Sequence, residues 1–249
     1  MKNKITKLLA ASAVLATSSI ASGVTLQIDF GLADGAFDGT AAPAGLTSTL
    51  WNGDVDSDVG GVDGGTLVDI DGNTTNITLD LGEGANGAAD FFDAVTIRNS
   101  SNTDAGNGIL GTALYQDWLF TSGNDNLGAR LSGFAAGEYD VFALVREPNQ
   151  LGRTYDVGIG VGNTTDITTL GVQAIGAAAN NDAFVSGQNF VQQRVTITDT
   201  SDFITVLVDP TNAGFGTLAG LQIVSVVPEP SSVALLGLGF MSFVLRRKR

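Results

Sequence analysis

The stretch FITVLVD, residues 203–209, decides the fold. In an extended chain successive side chains point to opposite faces, so Ile204, Val206 and Val208 share one face and Phe203, Thr205 and Leu207 the other. Both faces are apolar, which predicts a strand covered on both sides at the centre of a sheet. Outward from it the chain repeats the same device: short apolar or alternating runs separated by turn chemistry at roughly 8 to 15 residue spacing, the pattern of an all-β sandwich. Strands are expected at 25–30, 67–70, 77–81, 94–97, 118–120, 139–146, 154–161, 191–198, 203–209 and 218–226. No long helical period competes with them. The predicted architecture is a single antiparallel β-sandwich, jelly-roll-like, over residues 23–226, flanked by an N-terminal signal helix and a short C-terminal apolar helix.

Two phrases, GNTTNIT at 72–78 and GNTTDIT at 162–168, resemble an internal repeat. Their flanks do not match, and Asn with Gly and Thr is what a turn entering a strand selects by itself. One domain is therefore expected.

Composition narrows the chemistry. The chain has no Cys and no His. Disulfides, thiolate zinc sites, cysteine nucleophiles, imidazole bases and Ser-His-Asp arrangements are all excluded. Seven of the 12 basic residues sit at the two ends, so residues 23–226 hold 5 basic against 25 acidic side chains, a formal charge of -20 where the whole chain has -14. Such a field excludes nucleic acid and suits solubility, divalent cations or a hydrated polysaccharide matrix.

The ends are the most specific features. Lys2, Lys4 and Lys7 precede an apolar and small-residue run from Leu8 to Ile20, and Ser19-Ile20-Ala21-Ser22-Gly23 supplies small residues for signal peptidase. Residues 1–22 are read as a signal peptide, with cleavage after Ala21 or within two residues of it. At the other end Val227-Pro228-Glu229-Pro230 leads through Ser231-Ser232 to an apolar run from Val233 to Leu245, closed by Arg246, Arg247, Lys248 and Arg249. The prolines end the preceding strand and keep the segment extended. A helix over the apolar run would span roughly 20 Å, short of a hydrocarbon core of about 30 Å, with the basic cluster held on the cytoplasmic side.

Residues 227–249 resemble the PEP-CTERM sorting signal, with motif, short apolar segment and basic tail in order. The resemblance implies that Pro228, Glu229 and Pro230 are recognised by a membrane-embedded exosortase. The protein would insert transiently in the inner membrane and then move to the cell envelope, the surface or the outside. Asp117-Trp118-Leu119-Phe120, Leu131-Ser132-Gly133-Phe134 and Gly137-Glu138-Tyr139-Asp140-Val141 resemble the core of galactose-binding-like and related carbohydrate-binding modules. That resemblance implies a β-sandwich, with Gly137 supplying a tight turn and Tyr139 entering the core.

Candidate ligand sites are few. Asp54, Asp56 and Asp58 stand at alternate positions, as an oxygen-ligand loop for Ca²⁺ requires, although Val59 and Gly65 depart from the EF-hand pattern. A solvated acidic loop explains the same residues. No other cofactor is expected. Trp51, Trp118, Tyr115 and Tyr155 could stack on sugar rings; Trp118 is expected in the core and Trp51, before Asn52-Gly53, at the surface. Carboxylates are too numerous to single out an acid–base pair, and neither a nucleophile elbow nor a phosphate-binding Gly loop is present. The expected function is that of an exported, non-catalytic envelope or extracellular-matrix protein. The alternatives are a carbohydrate-binding module and a polysaccharide-active enzyme. Signal peptidase, exosortase and extracellular polysaccharide are the expected partners.

Overall fold

A computed structural model describes residues 23–31, 43–55, 66–84, 98–101, 112–121, 125–146, 150–177, 183–212 and 214–226. Both expected terminal helices, the expected strand 94–97 and the sorting residues Pro228, Glu229, Pro230, Arg246, Arg247, Lys248 and Arg249 lie outside them.

The architecture is all-β, two five-stranded sheets packed face to face. Thirteen strands run in chain order: β1 Thr25–Phe30, β2 Asn52–Val55, β3 Thr78–Gly84, β4 Arg98–Ser101, β5 Asp117–Phe120, β6 Asn126–Ser132, β7 Gly137–Leu144, β8 Tyr155–Val161, β9 Gly171–Ile175, β10 Phe190–Ile197, β11 Ile204–Pro210, β12 Thr217–Leu218 and β13 Gly220–Val226. One sheet has the order β10-β7-β13-β1-β2, the other β3-β6-β11-β8-β9, and a three-stranded sheet, β12-β5-β4, completes the fold. Pairing is antiparallel except for β2, which joins the edge of its sheet parallel to β1. The only α-helical turn among the described residues is α1, Ala113–Gln116.

From Ile204 onwards the stretch 203–209 lies in β11, the middle strand of its sheet, as its two apolar faces require. Ile204, Val206 and Val208 enter the core between the sheets with Leu127, Ala129 and Leu131 of β6 and Val157 and Ile159 of β8. Leu26, Ile28 and Phe30 of β1, Val141 and Ala143 of β7, and Leu221 and Ile223 of β13 meet them from the opposite sheet. Each strand contributes every second residue, so the core is the period-2 pattern of the sequence closed on itself. Truncating one of these, Ile204→Ala for instance, costs about 2–5 kcal/mol.

The outer face of β11 is covered as well. Leu207 packs against Ile167 of a 3-10 turn, Ile167–Thr169, and against Leu170, which follows it, and the neighbouring strand makes room with Gly158 and Gly160. A Cβ on Gly158 would stand 2.6 Å from Ile167 Cγ1. The phrase 162–168 therefore leads into this turn, capped by Asp166, which accepts from the Thr168 amide, rather than into a strand.

Three expectations need correction. The tight turn before β7 belongs to Gly133, not Gly137: its φ is +92°, and a Cβ there would lie 2.4 Å from Asn76 O. Tyr139 does enter the core, its hydroxyl donating to Ala135 O at 2.9 Å. The run 218–226 is two strands, because the chain changes sheets between Leu218, which pairs with β5, and Gly220, which pairs with β7. Residues 67–70 form only an isolated bridge, Val68 with Thr74, and then turn.

Candidate functional site

The sheet that contains β1 and β13 is covered on its outer face by a second apolar cluster. Trp51, Leu114, Tyr115, Trp118, Phe142, Leu144, Phe190 and Ala219 pack there, brought by the segment before β2, by α1 and by β5. Trp51 retains 5% of its surface, so the structure corrects its expected exposure. The cause is Asn52. Its amide donates to Gln27 O and Val68 O, and its Oδ1 accepts from the Val68 amide, which draws the chain inward where a surface turn was expected. Trp118 is buried, as read from its apolar neighbours. Tyr115 and Tyr155 are buried too, and burial raises both hydroxyl pKa values. The two tryptophans and three tyrosines of the whole chain are thus all interior.

Of the candidate calcium residues, Asp54 lies in β2, and Asp56 and Asp58 lie outside the described residues. A different acidic turn is well formed. Asp69 Oδ1 accepts from the backbone amides of Asp71 at 3.0 Å and Asn73 at 2.8 Å, and Oδ2 accepts from Asn73 Nδ2 at 3.0 Å. The Asn73 side chain, followed by these amides, holds the Asp69 carboxyl below its ordinary range. Gly72, at φ +82°, allows the reversal, and Ile70 N donates to Thr25 O, fastening the turn to the start of β1. A cavity of 390 Å³ opens there, lined by Gly23, Thr25, Asp69, Asp71, Asn73 and Ser225 among others. The turn is legible in the phrase at 72–78, whereas the part played by Asp69 rests on the Asx-turn pattern Asp-Ile-Asp-Gly-Asn, which is not among the sequence expectations.

At the far end of β7, Arg146 is fully buried. Its five N–H donors all go to main-chain carbonyls: Nε and Nη2 to Gln188 O, Nη1 to Leu151 O and Arg153 O, Nη2 also to Gly176 O. Its guanidinium stands 5.7 Å from the Tyr155 ring centroid. Burial lowers its pKa, and the planar five-donor fork ties three loops to one point. The role is structural.

Three further arginines, Arg130, Arg153 and Arg194, are engaged by side chains of the sandwich. Arg194 makes a bidentate pair with Asp140 at 2.9 and 2.8 Å. Arg130 bonds Asp80 and Asn163 and stacks on Phe203, and Arg153 lies over Phe215. One carboxylate pair faces across neighbouring strands: Asp209 of β11 and Asp156 of β8 are register partners, and burial followed by the Asp156 charge pushes the Asp209 carboxyl up.

Against known proteins, residues 226–249 match the PEP-CTERM protein-sorting motif. The chain carries this sorting signal, which marks an exported protein targeted by exosortase. No curated protein matches the chain. Among solved structures it is similar to protein YXIM from Bacillus subtilis, at 13% identity and a TM-score of 0.38, covering 83% of this chain and 41% of that one. It is also similar to a calcium-binding mutant of Bacteroides uniformis beta-glucuronidase 2, at 13% identity and a TM-score of 0.43, covering 82% of this chain and 18% of that one. A third, TmCBM61 in complex with beta-1,4-galactotriose, has 12% identity and a TM-score of 0.26 and covers 53% of this chain and 90% of that one. The chain thus spans less than half the length of the first two.

Proposed function

We propose that the protein is a non-catalytic component of the cell envelope or extracellular matrix, delivered by its sorting tail and a cleaved signal peptide. The observation that carries this reading is the placement of the ring side chains best suited to sugars. Both tryptophans and all three tyrosines pack inside, so they offer no stacking platform, whereas the surface carries the acidic excess. Arg130, Arg146, Arg153 and Arg194 are spent on Asp140, Asp80, backbone carbonyls and ring faces. What faces outward is a hydrated anionic sandwich, suited to swelling within a polysaccharide matrix and to bridging by divalent cations. Asp54, Asp56 and Asp58 remain the candidate calcium ligands.

The test is a glycan-retention screen of the processed protein with and without millimolar Ca²⁺, with a thermal melt alongside. The expected result is no retention by a defined sugar. Retention by one would replace this reading with that of a carbohydrate-binding module. Hydrolysis of a polysaccharide, lost in Asp209→Asn, would replace it with that of an enzyme.

A further inference from the structure

The two ends of the sandwich leave from one place. β1 begins beside the end of β13, with Thr25 paired to Val224, and Gly23 lies so close to Ser225 that a Cβ on it would stand 2.3 Å from the Ser225 Cβ. β13 is the middle strand of its sheet and is still paired at its last residue, Val226, with Glu138 of β7. Only Val227 separates that residue from Pro228. At no more than about 3.6 Å per residue, the two residues of chain from Val226 to Pro228 can span at most about 7 Å. An enzyme that grips the sorting motif must therefore press against the end face of the sandwich.

That face is acidic. Glu138 flanks Val226 and is exposed, Asp71 lines the cavity together with Ser225, and Asp199 and Asp202 cap the turn between β10 and β11, next to the β7 start. From this placement we infer that the β1/β13 end face, centred on Glu138 and Asp71, is a docking surface for the sorting protease, whose opposing surface is basic. The inference rests on the sorting reading and adds to it a contact beyond the motif itself.

The experiment follows conversion of precursor to processed protein in the native host by pulse-chase. It compares the wild-type chain, the double variant Glu138→Lys/Asp71→Lys, a chain with ten Gly/Ser residues inserted after Val226, and the double variant with that insertion. Like-charge contact should slow the double variant by about fivefold or more at native spacing. With the spacer, the two charge states should be processed at the same rate. Melts should be unchanged, because both side chains are exposed and substitutions of this kind stay within about 0.5 kcal/mol. Equal rates at native spacing would overturn the inference, as would the same slowing with the spacer present. A further control replaces Pro228, Glu229 and Pro230 by Ala. Normal processing of that chain would contradict the sorting reading itself, a failure distinct from that of the docking face.

Discussion

Gln222 Nε2 donates to Gln27 Oε1 at 2.8 Å, joining two buried amides 195 residues apart on adjacent strands. Gln27 in turn donates to Ser48 O and Leu50 O, and Gln222 Oε1 accepts from the Ala44 amide. The pair buttons residues 44–50 onto the outer face of β1 and β13, so that Trp51 is delivered to its cluster.

Removing one member of this pair should leave buried polar groups without partners. Gln222→Leu is expected to cost about 1–3 kcal/mol in a urea melt and to speed hydrogen exchange at the Ala44 amide. Gln27→Leu/Gln222→Leu should cost less than the sum of the two single changes, because the pair acts as a unit.

Trp51→Ala is expected to lower stability by about 3–5 kcal/mol, read as an earlier thermal transition. Neither the wild-type chain nor this variant should be retained by a defined sugar. Retention by the wild-type chain that is lost in a folded Trp51→Ala variant would mean that Trp51 reaches a ligand.

Arg146→Ala should be among the most damaging single changes, because four main-chain carbonyls lose their donors inside the fold, and each buried acceptor left unsatisfied costs about 1–3 kcal/mol. Arg146→Lys should recover only part of this, since an ammonium has three donors and no planar fork. Limited proteolysis in the loops around 150–153 and 183–189 would report the loss.

Asp209 gives a pH signature. Its folded-state pKa is raised, first by burial and then by Asp156, so the folded state holds the proton more tightly than the unfolded chain does. The group therefore weakens the fold once pH rises above the unfolded value of about 3.9, and the deficit is complete above the folded pKa. Asp209→Asn should stabilise the protein at pH 7, by on the order of 0.5 kcal/mol after solvent screening, and should make no difference well below pH 4. A melt series against pH checks both arms. Asp140, held low by Arg194, runs the other way: its contribution is present above the unfolded pKa and fades as pH falls through the folded value.

What the sequence revealed was local. β1 begins and ends where its alternation does, and the doubly apolar 203–209 stretch is the centre of its sheet. Strands β6 and β9 escaped notice because NLGARLS and GVQAI carry Gly and Ala where a stronger β signal would have β-branched residues. β2 was hidden for another reason: its Asn52-Gly53 reads locally as a turn, yet the Asn52 amide bridges strands that meet only in the fold. The same holds for the site. The sorting tail is written in consecutive residues and is legible at once. The shared exit of β1 and β13, the Gln27–Gln222 pair and the Arg146 knot depend on contacts between distant parts of the chain that no spacing announces.

Delivery is measured by intact mass spectrometry of the protein from fractionated native host cells. The expected chain is recovered outside the cytoplasm, is cleaved at its start after Ala21 or within two residues of it, and ends near Pro228-Glu229-Pro230. A full-length chain, Met1 to Arg249, remaining in the cytosol would contradict this expectation.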